Sequence, residues 1–142
     1  MLQSWIKLIV AFLVVLGLVG CKEDRGPRFL FNNLVGMTIP ETAVIHHYQA
    51  RSLRDSEHYF IVCFDSELEL VEAVGSFAFD EARSDNRRIE IMQIVEGIAT
   101  RTGAPNFELD RSDGEAYYGH SKMKNKYVRA VKLDNCLHIG AQ

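Results

Sequence analysis

The first 21 residues constrain this chain more than anything that follows them. A single cation, Lys7, precedes an apolar run from Leu8 to Val19 that ends at Gly20-Cys21, and Lys22-Glu23-Asp24-Arg25 is then charged throughout. A positive start, a short apolar middle and a small residue before a cut together make the layout of a secretory signal. The run is shorter than the roughly 20 apolar residues that cross a hydrocarbon core, although Trp5 and Ile6 lengthen it, so a transmembrane anchor is the weaker reading. A signal cut by the general peptidase favours an A-x-A-like site, whereas here Val19 precedes the cut and a cysteine follows it. The folded part of the chain therefore begins after residue 20.

Leu18-Val19-Gly20-Cys21 resembles the lipobox of bacterial lipoproteins, a specific likeness confined to this N-terminal segment. The resemblance implies that residues 1–20 are a removed signal peptide and that Cys21 becomes a lipidated N-terminus. It also implies a diacylglycerol thioether, and two acyl chains hold a protein durably where one holds it marginally. Membrane lipid is then a partner through acylated Cys21. In Gram-negative lipoproteins an Asp straight after the cysteine favours retention at the inner membrane. This chain has Lys22 there, which in a Gram-negative host implies a periplasm-facing protein at the outer membrane rather than the inner.

Cysteine usage agrees with export. With Cys21 consumed by lipid, Cys63 and Cys136 remain, an even number for an oxidising compartment. Both sit in strand-like runs, Tyr59 to Phe64 and Leu133 to Leu137, so a bridge between neighbouring strands is one reading and two buried thiols the other.

Taking 20 of the 142 residues away leaves 122, and taking Lys7 from the 16 basic residues leaves 15 against 19 acidic, a net charge of −4 with His neutral. One domain is expected at that size. Nucleic acid is excluded as a partner by the acidic balance and by export. The one basic cluster, Lys122, Lys124 and Lys126, has period-two spacing that suits a solvated strand face, an edge protected from pairing, or contact with an acidic partner.

Along the chain, residues 21–28 read as a lipidated tether carrying Gly26 and Pro27, and residues 29–142 as a single globular domain. Thr38 and Pro40 suit a short helical turn. Val44 to Arg51 fits a helix or a strand, and strand is favoured because it can form a hairpin with Tyr59 to Phe64 across Ser52 to Glu57. Ser66 and Glu69 have the spacing of a capping box, opening a helix whose Leu68, Val71 and Val74 share a face. Asp80 to Arg88 reads as a polar connection, with Asp85 capping a second helix that carries Ile91, Ile94, Val95 and Ile98 and stops at Gly103 and Pro105. Glu115 to His120, Tyr127 to Leu133 and Cys136 to Ile139 are strand-prone, and Asp134-Asn135 suits a two-residue turn. The expected fold class is α+β, a mainly antiparallel sheet with two helices packed on one face.

Motifs for chemistry are sparse. Adjacent His46-His47 lack the i, i+4 spacing of a zinc helix, and no ligand spacing links His46, His58, His120 and His138, so no metal is expected. Asp110 to Glu115 fails as a calcium loop, because aligning Gly114 with the loop glycine puts Leu109, Arg111 and His120 at ligand positions; Ser112-Asp113-Gly114 reads as a turn. There is no nucleophile elbow or phosphate-binding glycine loop, and Cys63 lies in an apolar run without an electropositive setting. No catalytic residue and no cofactor is assigned.

The remaining candidates are Tyr118, His120, Lys122 and Lys124, which share parity in a regular strand and combine rigid rings with charge as interfaces do. The expected function is a non-enzymatic, lipid-anchored binding protein of the envelope with a protein partner. It is similar in its general look to small bacterial lipoproteins, including those that act as immunity proteins against exported toxins. A small envelope hydrolase or metal-binding protein is the alternative.

Overall fold

The computed structural model describes residues 26–51, 55–109, 113–121 and 125–142. The order is α1 (Pro27–Leu34), β1 (Val44–Arg51), β2 (Ser56–Cys63), α2 (Glu67–Ser76), β3 (Asp80–Glu81), α3 (Asp85–Arg101), β4 (Ala116–Ser121), β5 (Lys126–Leu133) and β6 (Cys136–Ala141). The strands form one six-stranded sheet in the order β1-β2-β6-β5-β4-β3, with every neighbouring pair antiparallel. The fold is thus α+β with a mainly antiparallel sheet. Among the described residues no helix is long and apolar enough to cross a membrane.

The hairpin between Val44–Arg51 and Ser56–Cys63 forms in strand conformation, register Val44 to Cys63 and Arg51 to Ser56. β5 and β6 meet across the two-residue turn Asp134-Asn135, where Asp134 has φ 53°, a left-handed conformation that Asp tolerates. The edge strand β3 falls inside the stretch expected to be connection, pairing Asp80 with Tyr118 and Glu81 with Tyr117.

The helices do not share one face. Phe60 and Val62 of β2 and Leu137, Ile139 and Ala141 of β6 pack with Phe31 and Leu34 of α1 and Leu70 and Ala73 of α2. Their neighbours Tyr59, Ile61, Cys63 and Cys136 belong instead to the cluster around Ile91, Met92, Val95 and Ile98 of α3. Because successive strand residues point to opposite faces, α1 and α2 cover one side of the sheet and α3 the other. The reason is legible in the central strands: Tyr59 to Val62 are all buried, the pattern of a strand covered on both faces rather than half-solvated. α3 comes close to β6 at Gly140, where an added Cβ would lie 2.7 Å from the Ile98 Cδ1. Each fully buried aliphatic side chain of α3 contributes roughly 1.5–3 kcal/mol over exposure.

α1 was not expected. It starts at Pro27, inside the stretch read as tether, and Pro at a first helical position gives up a donor that has no partner there anyway. The Arg28 guanidinium donates to the carbonyls of Pro40, Glu41 and Ala43 at 3.3, 3.1 and 2.8 Å. That contact seats the start of α1 beside the start of β1, and Phe31 packs edge-on against Phe60 at 5.3 Å. Residues 37–43, expected to hold a helical turn, contain no helix.

α2 opens as its local sequence dictates, with the Ser66 hydroxyl accepting from the Glu69 amide at 3.3 Å. Its inner face is Leu70 and Ala73, however, while Leu68 and Val71 are exposed, so the face assigned from Leu68, Val71 and Val74 is corrected. α3 is capped by the Ser84 hydroxyl, which accepts from the Arg87 amide, and Asp85 is its first helical residue rather than its cap. Gly103, with φ 77°, follows its end as a left-handed stop.

Candidate functional site

The strand register separates two ends of the sheet. One holds Val44, Cys63, Leu133 and Cys136, and the other holds Arg51, Ser56, Ser121 and Lys126. An eight-residue strand puts about 25 Å between them. Cys63 and Cys136 face each other across β2 and β6 at the first end and are joined by a disulfide, with their Cα atoms 4.1 Å apart.

The bridge end is acidic. Glu67, Asp113, Glu115 and Asp134 border an open cleft of about 600 Å³ there, with Lys132 paired to Glu67 at 2.9 Å. The Tyr117 hydroxyl donates to the Glu115 carboxylate. Lys132 holds the Glu67 carboxyl below its ordinary pKa, first through that hydrogen bond.

The far end carries basic residues on its strand ends, with Asp55 directly before Ser56. Arg51 and Lys126 lie on terminal strand positions, and Glu57 is already ion-paired with Arg101 at 2.7 Å. On the α1/α2 side of this end, a chain of hydrogen bonds runs from His47 Nε2 to His58 Nδ1 at 3.0 Å and from His58 Nε2 to Ser56 Oγ at 3.0 Å. Lys126 Nζ donates to the Ser56 carbonyl at 2.9 Å, spanning the gap where β6 has ended. His47 stacks on Phe60 at 4.6 Å, and His58 lies parallel to His47 at 5.3 Å. Burial, followed by the neighbouring His47 and the charges of Lys126 and Arg51, lowers the His58 imidazole to about 4, so it is neutral at pH 7. Burial also lowers His47. Ser121, opposite Lys126, is fully buried, and its hydroxyl has no hydrogen-bond partner among the described residues.

On the α3 side, Tyr118 is half-buried beneath the Arg87 guanidinium, 4.8 Å from its ring centroid. His120 is exposed and meets the exposed Tyr127 ring edge-on at 5.2 Å. Arg129 lies 5.8 Å from the Tyr127 ring. Tyr118 and His120 thus share a face. Lys122 and Lys124 lie outside the described residues. Lys126, directly opposite Ser121 in the ladder, points to the other face from His120.

The four histidines considered as ligands lie apart. His58 sits on the α1/α2 side, His46 and His120 are exposed, and His138 is buried against Tyr59 and Phe107 on the α3 side. Among the described residues no group of three or more His, Cys, Asp or Glu is placed to hold a metal ion. The Ser56-His58-His47 chain was missed because only half of it is local. Ser56 and His58 share a face at i, i+2, but His47 comes in diagonally from β1, and that needs the register. No family model matches the chain, and no curated protein or solved structure is significantly similar to it.

Proposed function

We propose that this chain is a lipid-anchored envelope protein, non-enzymatic, that presents the far end of its sheet to an acidic protein partner. The observation that carries the reading is the charge separation along the strands. The start of α1, six residues beyond the proposed lipidation site Cys21, sits beside the first residues of β1, opposite the end that bears Arg51 and Lys126. A tether attached there holds the acidic bridge end toward the bilayer and turns the basic end outward. In the sequence, Lys122 and Lys124 fall between Ser121, the last residue of β4, and Lys126, the first of β5. Exposed Tyr127 and His120 supply the rigid rings that anchor interfaces. An acidic partner gains encounter rate from such a field, and charge reversal removes it.

A photoreactive residue at Tyr127 should form a protein adduct in producing cells, and Lys122→Glu with Lys124→Glu should reduce it at least fivefold while leaving abundance unchanged. The same probe at exposed Leu68, on α2 near the bridge end, is the control. An equal adduct from Leu68, or one at Tyr127 indifferent to charge reversal, contradicts the reading.

A further inference from the structure

We propose that Ser56, His58 and Lys126 form a carboxylate-binding cradle on the α1/α2 side of the far end. This rests on the reading of that end as the partner-facing surface and names the group it takes. The hydrogen-bond chain through His47, His58 and Ser56 has a polarity. A neutral imidazole carries one N–H, so the chain runs in one of two directions. In the first, His47 Nε2–H donates to His58 Nδ1, His58 Nε2–H donates to Ser56 Oγ, and the serine proton is left pointing away from the chain toward an acceptor. In the second, the serine O–H donates to His58 Nε2, and His58 Nδ1–H donates to His47 Nε2.

An anion lying against Ser56 selects the first direction, because it accepts the serine proton. The surroundings favour an anion there. Lys126 uses one of its three N–H bonds on the Ser56 carbonyl, leaving two, and Arg51 is the direct strand partner of Ser56. The positive field of these two side chains is felt at His58, whose imidazole it helps to hold neutral. A serine hydroxyl and a lysine ammonium supply two donors for the two oxygens of a carboxylate, and hydrogen bonds to an ionised acceptor are the stronger kind. Aspartate and glutamate side chains of an acidic protein present that group.

The test follows the His58 ring nitrogens by NMR in the protein extracted from membranes of producing cells, in neutral detergent, during titration with sodium acetate at fixed ionic strength. A parallel titration uses inorganic phosphate. Acetate should shift the His58 signals saturably, and Ser56→Ala or Lys126→Gln should weaken the apparent affinity about tenfold while leaving the other histidine signals in place. No saturable shift overturns the cradle, and a tighter response to phosphate than to acetate overturns the carboxylate assignment. Combining Ser56→Ala with Lys126→Gln should also reduce the Tyr127 adduct. An adduct that survives both substitutions but falls on Lys122 and Lys124 reversal overturns the cradle while the partner-facing surface stands.

Discussion

Reducing the Cys63–Cys136 bridge should lower the unfolding free energy by about 4 kcal/mol, from the loop-entropy relation for the 73-residue separation of the two cysteines. The two strands it joins already pair along β2 and β6, and the Phe64 amide donates to the Asn135 carbonyl beside it, so the native sheet has little reason to rearrange when the bond opens. The loss is therefore expected through the unfolded chain, which gains freedom once the loop is released. Against a typical domain stability of about 5–15 kcal/mol, this is a large fraction. Denaturant unfolding with and without reductant measures it. The variant Cys63→Ala with Cys136→Ala should unfold near the reduced wild type and ignore reductant, and a wild-type midpoint that reductant leaves unmoved contradicts the prediction.

Stability should also fall steeply below neutral pH. His138 is buried with its Nδ1 2.6 Å from the Tyr59 hydroxyl, and burial lowers its imidazole to about 4, as burial and nearby positive groups lower His58. Burial first, with Tyr48 and Glu96 as neighbours, raises the Tyr59 phenol well above its ordinary value, so Tyr59 donates and neutral His138 accepts. An unfolded histidine titrates near 6.5. Between pH 6.5 and 4 the unfolded chain thus binds protons that native His58 and His138 refuse, with lowered His47 adding in the same direction, and stability declines as pH falls through that window. The stabilisation is fully present above pH 6.5 and lost once both folded-state groups are protonated, below pH 4. Each histidine accounts for about 3 kcal/mol of that loss at most.

Urea unfolding across pH 4–7 should show this slope, and Tyr59→Phe with His138→Phe should flatten it, leaving only the part carried by His47 and His58, by replacing both members of the pair with apolar rings. An unchanged slope in the double variant contradicts the assignment to His138. Tyr59→Phe alone should cost about 1–3 kcal/mol at pH 7, because it leaves a buried acceptor unsatisfied.

The legible parts of the fold were those set by neighbours in sequence. Ser66 caps α2 because its hydroxyl reaches an amide three residues on, and the β5–β6 turn follows from Asp134-Asn135 between two strand-prone runs. Faces were less legible because they depend on what lies across the sheet. The run from Tyr59 to Val62 is apolar at every position, which gives no alternation from which to infer a solvated side, and α3 fills the face that would otherwise have been open. In α2, Leu68 and Val71 outweigh Ala73 in hydrophobicity, yet small Ala73 lets the helix sit close to the sheet with Leu70 beside it. The first helix was hidden by Gly26-Pro27, a pair that ends helices as readily as it begins them.

The candidate site was legible only in part. The basic cluster and its aromatic neighbours were visible as composition, and Tyr118 with His120 do share a face. Lys122 and Lys124 lie outside the described residues. The histidine chain depends on the offset between β1 and β2, and no spacing within either strand reveals it.

The central claim is an exported domain held to a membrane by lipid at Cys21. The most direct test is the intact mass of the protein extracted from membranes of producing cells, before and after reduction and alkylation, beside a Cys21→Ser control. The account predicts a chain that begins at Cys21, carries acyl mass there, and releases two thiols only on reduction. A chain that retains residues 1–20 and carries no lipid contradicts it.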